Sequence, residues 1–130
     1  MEHITGIGGF FFRSENAKDL IQWYIKHLGI NPTPKTYDER SWWQEGGPTE
    51  ISAFSPNDSY LGKFGTSWVI NFRVRNLDAM INQLKAEGIE VELDPEVYPN
   101  GRFAFLVDPE GNPIQLWEVA GPDKIDPKNR

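Results

Sequence analysis

The chain has 130 residues, which is typical of one domain. Its net charge of -6 works against binding to a phosphate backbone, which needs clustered Lys and Arg. It contains no cysteine, and no apolar run approaches the roughly 20 residues of a membrane-spanning helix. We therefore expect a cytoplasmic protein that binds neither nucleic acid nor membrane, and whose ligand is a small neutral or cationic molecule.

The first half of the chain predicts a strand followed by a helix. Ile7–Arg13 is an apolar run typical of a strand. Glu15–Leu28 carries apolar residues at the i, i+3, i+4, i+7 spacing of a helix that packs on a sheet. We expect Ser14 to be the N-cap of this helix and Gly29 to end it.

Two further strands are predicted before the middle of the chain. Ser41–Gln44 and Thr49–Phe54 flank the turn residues Gly46-Gly47-Pro48, a pattern that indicates a hairpin. After a polar stretch, Trp68–Arg75 predicts a second apolar strand that leads into a helix over Leu77–Glu87.

Similar local signals predict the ends of the second helix, the last two strands and the tail. Asn76 is the expected N-cap of the second helix and Gly88 its stop. Arg102–Val107 and Pro113–Val119 predict strands that are joined by the turn Asp108-Pro109-Glu110-Gly111-Asn112. The charged, proline-containing tail over residues 120–130 is expected to be frayed.

The order of these elements indicates an internal duplication. Strand, helix and further strands occur twice, which predicts one domain over residues 1–130 with a first module over about 4–56 and a second over about 66–119. The alternative is that any two amphipathic strand–helix units look alike. The residues that repeat at an offset of 60 are Phe12-Arg13 with Phe72-Arg73 and Asn16 with Asn76, and those at 59 include Gly29 with Gly88.

Two motifs resemble a known family. The segment Asp108–Trp117 resembles the C-terminal signature of the vicinal oxygen chelate superfamily, and Trp23–Gly29 resembles its first-helix motif. That superfamily includes glyoxalase I, extradiol dioxygenases, fosfomycin-resistance enzymes and bleomycin-binding proteins. The resemblance spans residues 4–119 and implies an α+β fold, with two tandem βαβββ modules that form a cupped mixed sheet.

The resemblance also implies where a metal would be held. The ligand positions of the metal-dependent members fall on Gly9, on Glu50 or Ser52, on Val69 and on Gln115. Glycine and valine have no ligating side chain, and a glutamine stands where the family places glutamate. Since typical sites need three or four ligands, we expect no metal and no other cofactor. The alternative is a divalent metal bound through other residues.

Strand alternation predicts which side chains face the cup. Phe10 and Phe12 are expected to face the helices instead. The side chains predicted to face the cup include both aromatic and polar groups, as in small-ligand sites. The alternative is that these residues fill a closed core or line a dimer interface. The expected ligand-binding residues are Phe11, Arg13, Trp42, Trp43, Glu50, Ser52, Val69, Asn71, Arg73, Arg102, Gln115 and Trp117.

Two functions are compatible with this set. The first is a glyoxalase/bleomycin-resistance-like homodimer that binds a small, partly aromatic molecule without metal. The second is an enzyme of the lyase, isomerase or dioxygenase-like type. It would use Glu50 as a base and Arg73 to stabilise an oxyanion, or depend on a metal held by residues not identified in the sequence.

Overall fold

The sheet of this protein is built from the second half of the chain. The computed structural model describes residues 1–63 and 65–129. The elements in chain order are α1 (Ala17–Leu28), α2 (Ser59–Gly62), β1 (Ile70–Arg73), α3 (Leu77–Ala86), β2 (Glu92–Leu93), β3 (Gly101–Val107) and β4 (Pro113–Val119), followed by the 3-10 turns Gly121–Lys124 and Pro127–Asn129.

The four strands follow the order β1-β4-β3-β2, with β1 parallel to β4 and the other pairs antiparallel. The second half is thus a complete βαβββ unit, and the expected α+β class is confirmed. The predicted strand Pro113–Val119 has the same bounds in the structure, while Trp68–Arg75 is shortened to β1. The sequence pattern missed β2 because two residues show no alternation.

Both predicted helices are present, with one correction at a cap. Asn16, rather than Ser14, is the N-cap of α1, and its side chain accepts a hydrogen bond from the Asp19 N–H at 3.3 Å. The helix therefore begins at Ala17, two residues later than expected. Gly29 ends it in the left-handed conformation, with φ of 71°. Asn76, at an offset of 60 from Asn16, caps α3 in the same way.

The three strands expected in the first half are not formed as hydrogen-bonded strands. Residues 7–13, 41–44 and 49–54 are described, and none of them belongs to a strand ladder. The alternating pattern predicts a pleated segment with one apolar face, but a ladder also needs a neighbouring backbone in register. The tail, which was expected to be frayed, contains the two short 3-10 helices and is solvent-exposed over residues 121–128.

The core lies between the sheet and the two long helices. Leu77 and Leu84 of α3 are fully buried against Ile114 and Leu116 of β4. Leu20 and Tyr24 of α1 belong to the same cluster. The helix of the first half is therefore packed on the sheet of the second half.

A buried carboxylate joins the two halves. Asp108 is 2% exposed, and its Oδ2 accepts a hydrogen bond from Tyr24 Oη at 2.7 Å. The same carboxylate accepts from the Glu110 and Asn112 backbone N–H groups and from Asn112 Nδ2, which fixes the turn between β3 and β4. Burial, reinforced by the bond to Asp108, raises the pKa of Tyr24 well above its usual value. The phenol therefore remains protonated and donates.

Glu110 of the same turn holds the start of α1. Its carboxylate accepts hydrogen bonds from Ser14 Oγ at 2.6 Å, from the Glu15 N–H at 2.9 Å and from the Asn16 N–H at 3.3 Å. The Ser14 hydroxyl, followed by the Glu15 N–H, lowers the pKa of Glu110. One turn of the second half thus positions the first helix at two points.

We expect Tyr24→Phe to lower the free energy of unfolding by about 1–3 kcal/mol, because Asp108 stays buried and loses one hydrogen bond. Tyr37, which is fully exposed, offers the control substitution Tyr37→Phe, which should change stability little. Chemical denaturation of the two variants measures the difference. Equal stability of the two variants would contradict the structural role of the Tyr24–Asp108 bond.

Glu110 should make stability depend on pH. Its folded-state pKa is lowered, so the stabilisation is present above the unfolded-state pKa of about 4.3 and is lost as the pH falls through the lower folded-state value. Glu110→Gln should therefore reduce the melting temperature at pH 7, and its gap to the wild type should close on acidification. Glu2→Gln is the exposed control. A gap that stays constant down to pH 2 would contradict this assignment.

Candidate functional site

A cavity of about 1040 Å³ lies where the two halves meet. Its walls include residues 5–10, 44–54 and 67–73, together with side chains from β3 and β4. A more open groove of about 700 Å³ lies over the end of α3 and the β2–β3 pair, away from this junction. We assign the candidate site to the larger cavity because both halves contribute aromatic and polar side chains to it.

Two facing carboxamides form a polar part of the cavity wall. Asn71 of β1 lies directly opposite Gln115 of β4 in the parallel register. The Asn71 Nδ2 group donates a hydrogen bond to Gln115 Oε1 at 2.6 Å. Gln115 is half-buried, whereas Asn71 is exposed. This pair is neutral at every ordinary pH, so it can offer hydrogen bonds to a ligand but no charge.

Arg73 is committed to a loop of the first half. Its Nη1 donates to the Pro48 carbonyl at 2.7 Å and to Thr49 Oγ1 at 3.2 Å, and its Nη2 donates to the Glu45 carbonyl at 2.7 Å. Arg75 adds an ion pair with the Glu45 carboxylate. The guanidinium therefore holds the segment 45–49 over the cavity through three hydrogen bonds within the protein.

Aromatic side chains form the apolar walls. The rings of Phe103 and Trp117 are stacked, with centroids 6.0 Å apart and an interplanar angle of 9°. Trp117 is 4% exposed, and its Nε1 donates to the Asn100 carbonyl at 2.9 Å. On the other side, Phe10 meets Trp68 edge to face at 5.0 Å. A flat apolar ligand would find aromatic contacts on both sides of the junction.

Eight of the twelve residues expected to bind ligand line this cavity. They come from both halves, which agrees with a site at the junction. The eight are Trp42, Glu50, Ser52, Val69, Asn71, Arg73, Gln115 and Trp117.

The other four lie outside the cavity walls. Phe11 is 92% exposed and Trp43 is 87% exposed, while Arg13 is also solvent-exposed. Strand alternation does not hold for these residues because their segments form no ladder. Arg102 donates instead to both carboxylate oxygens of Asp78 on α3, at 3.2 and 3.0 Å, so it points to the helix layer.

Sequence reasoning missed several aromatic residues of the cavity. Phe10 and Phe12 were expected to face the helices. Phe12 does so, since it contacts Tyr24 of α1, but both rings also line the cavity. Phe103 was missed although it lies in the predicted strand Arg102–Val107, because no cup-facing side was assigned to that strand. Its signal was available, since Phe103 pairs with Trp117 and neighbouring strands carry same-face side chains at paired positions.

The residues present do not fit a metal centre. In the family that the sequence resembles, metal-dependent members hold their metal at four positions. Three of these positions are here Gly9, Val69 and Gln115. Gln115 Oε1 already accepts a hydrogen bond. Within residues 1–63 and 65–129, no group of three or more His, Cys, Asp or Glu side chains is close enough to hold an ion. No chemical step is therefore derived through a metal.

The family model named Glyoxalase/Bleomycin resistance protein/Dioxygenase superfamily matches residues 2–116. The chain belongs to this superfamily. The resemblance drawn from the two sequence motifs is thereby confirmed. Among curated proteins, none matches the chain significantly. No helix in the described part of the chain is long and apolar enough to cross a membrane.

Two solved structures share the fold of this superfamily member. The antibiotic-binding protein TnmS3 from Streptomyces sp. CB03234 aligns with a TM-score of 0.57 and 21% identity, over 92% of this chain and 100% of its own. A protein assigned to the glyoxalase family, from Bacillus anthracis, aligns with a TM-score of 0.52 and 17% identity, over 90% of this chain and 99% of its own. At these identities the likeness concerns the fold alone.

The Arg73 contacts predict opposite effects at two adjacent glycines. A Cβ at Gly47 would lie 2.5 Å from Arg73 Nε, whereas a Cβ at Gly46 would meet nothing within 4 Å. Gly47→Ala should therefore displace the guanidinium and lower the free energy of unfolding by about 1–3 kcal/mol. Gly46→Ala should be neutral or slightly stabilising. Denaturation curves compare the two, and equal behaviour would argue against the Arg73 clamp.

Proposed function

We propose that this protein binds a small, partly aromatic molecule in the cavity between its two halves, without the help of a metal. The observation that carries the proposal is the wall of that cavity. It combines aromatic rings with the neutral Asn71–Gln115 pair, at a place where metal-dependent relatives are expected to hold ligands. Aromatic walls with a few convergent polar groups are the usual composition of a small-ligand site.

The superfamily and its neighbours support a binding role. The name of the matching family includes bleomycin resistance proteins, and TnmS3 is described as an antibiotic-binding protein. We extend this to the present chain as part of the proposal: its ligand is a compound of similar kind, planar in part and small enough for about 1040 Å³.

The geometry favours binding over catalysis. Arg73, the expected oxyanion stabiliser, donates its hydrogen bonds to the loop 45–49 rather than to the cavity. Glu50 lines the cavity but is solvent-exposed. No described residue pairs with Glu50 in a hydrogen bond that would orient it. The enzymatic alternative has no comparable support.

We further propose that the protein acts as a homodimer. Its accessible surface is 10308 Å², whereas a closed monomer of this mass exposes about 7000 Å². Much of the excess lies in the first half, where Phe11, Trp43 and Ile51 are all more than four-fifths exposed. A second copy would bury this apolar surface and offer the backbone partners that the extended segments lack. The cytoplasmic location expected from the lack of cysteine stays a prediction, which cell fractionation would test.

Ligand binding is testable with a residue on the cavity wall. We expect planar neutral or cationic aromatic compounds to quench the Trp fluorescence of the wild type. Val69→Phe should abolish the quenching, because it fills the space beside the amide pair. Val97→Phe is the matched control, since Val97 is 70% exposed and lies outside the cavity walls. Quenching that survives Val69→Phe would place the ligand elsewhere.

The same samples test the metal-free and non-catalytic parts of the proposal. Elemental analysis of the purified protein should find no stoichiometric metal, and Ni, Zn, Mn or Fe should not raise its melting temperature. Stoichiometric metal or a clear stabilisation would overturn the metal-free proposal. Conversion of a bound compound to product, lost in Glu50→Gln, would favour the enzymatic alternative instead.

The dimer makes a separate prediction. Sedimentation equilibrium should give about twice the chain mass of 14.9 kDa at micromolar concentration. Trp43→Ser should weaken association at least about tenfold, because burial of a large aromatic side chain contributes more than 1.4 kcal/mol. Val97→Ser, at an exposed site in the second half, should not. A wild-type monomer at 100 µM would contradict the proposal.

A further inference from the structure

The Asn71–Gln115 pair has hydrogen-bonding capacity that the protein leaves unused. A carboxamide has one carbonyl oxygen and two N–H donors. The bond from Asn71 Nδ2 to Gln115 Oε1 occupies one donor and one acceptor. Within the described residues 1–63 and 65–129, no hydrogen bond involves Asn71 Oδ1 or Gln115 Nε2. One free acceptor and one free donor group therefore lie side by side at the cavity wall.

This pattern does not depend on which way the two amides are turned. If both amides were reversed, Gln115 would donate to Asn71, and the remaining groups would again be one carbonyl and one NH₂. The two residues face each other across adjacent parallel strands, which lie about 4.8 Å apart. The free acceptor and the free donor therefore belong to side chains on neighbouring strands of one cavity wall, so that one ligand can contact both.

The surroundings of the pair select a neutral partner. Arg73, two residues after Asn71 on the same strand, uses its guanidinium on the loop 45–49. Glu50 adds a negative charge to the same cavity. Since Arg73 and Glu50 bring opposite charges to this one cavity, neither sign of ligand charge is favoured there and a neutral polar group is the best match.

The neighbours of the pair are apolar. Val69 lies two residues before Asn71, and Trp117 lies two residues after Gln115, so both share the face of the amides. The free hydrogen-bonding groups are thus set beside surfaces that suit a flat ring.

We propose that the Asn71–Gln115 pair recognises a ligand edge in which an N–H or O–H donor stands next to a carbonyl acceptor, as in a lactam, an imide or a hydroxy-carbonyl ring. Asn71 Oδ1 accepts from the donor, and Gln115 Nε2 donates to the carbonyl. This deepens the proposed function and rests on it, since it names the polar edge of the same ligand. It also gives Gln115 a role that a glutamate, with two acceptor oxygens, would not perform.

Three bicyclic probes of similar size test this recognition. 2-Quinolinone has the N–H next to C=O, N-methyl-2-quinolinone lacks the donor, and naphthalene lacks both groups. Isothermal titration should find 2-quinolinone bound at least about tenfold more tightly than its N-methyl analogue, because the analogue leaves Asn71 Oδ1 without a partner. Naphthalene should bind most weakly.

Variants of the pair should remove this preference. In Asn71→Leu/Gln115→Leu, both amides are absent, so the two quinolinones should bind within about threefold of each other. Gln115→Glu replaces the donor by an acceptor and should lower 2-quinolinone affinity about tenfold while keeping the side-chain shape. Gln22→Leu is the matched control, because Gln22 is exposed on α1 and lies outside the cavity walls. Circular dichroism checks that each variant is folded.

The outcomes separate this inference from the proposed function. Equal binding of the two quinolinones by the wild type, or a preference that survives the double variant, would overturn the recognition role of the pair and leave cavity binding intact. A tenfold preference that disappears in the double variant and persists in Gln22→Leu supports it. If none of the three probes binds, the recognition role fails for this ligand class together with the expected aromatic binding.

Discussion

The structure depends on one buried carboxylate at the turn between β3 and β4. Asp108 accepts hydrogen bonds from its own turn and from Tyr24, a residue 84 positions earlier in the chain. Glu110, two residues further on, accepts from the start of α1. Because a buried carboxylate is stable only when its oxygens are satisfied, this turn and this helix fix each other. The two halves of the chain are thereby held at a defined distance.

The candidate site follows from that attachment. With α1 docked on the second half, the segment 5–10 that precedes it lies along Trp68 and borders the cavity. Arg73 then ties the loop 45–49 to β1 from the other direction. The cavity is thus a gap between two halves that are bonded at both ends, and the side chains left to face a ligand are aromatic rings and the Asn71–Gln115 amides. Because the fold of this superfamily hosts several chemistries, the proposed binding function rests on the residues of this wall and not on the fold.

The second half could be predicted from the sequence almost completely, because its signals are local. Pro113–Val119 is an apolar-rich run that follows a turn, and Asp108–Asn112 has the residues that this turn requires. Asn76 caps α3, and the left-handed Gly88 follows its C-cap Glu87. In the first half, the helix was predicted but its N-cap was not, since Ser14 and Asn16 are both good caps. Only the position of Glu110 decides that the Ser14 hydroxyl donates to the turn instead. The expected strands 7–13, 41–44 and 49–54 differ from the structure because a ladder requires a partner that no local pattern specifies.

The sequence by itself determined the class of fold and the superfamily. The sequence alone shows that the expected metal-ligand positions are occupied by Gly9, Val69 and Gln115. Only the tertiary structure decided how the polar groups are used: that Arg73 is bound by the loop 45–49, that Arg102 pairs with Asp78, and that Asn71 leaves one acceptor beside one donor of Gln115. The physical reason is that a hydrogen-bonding group has a fixed capacity, and the part of it that remains for a ligand depends on which neighbours the fold brings within about 3 Å.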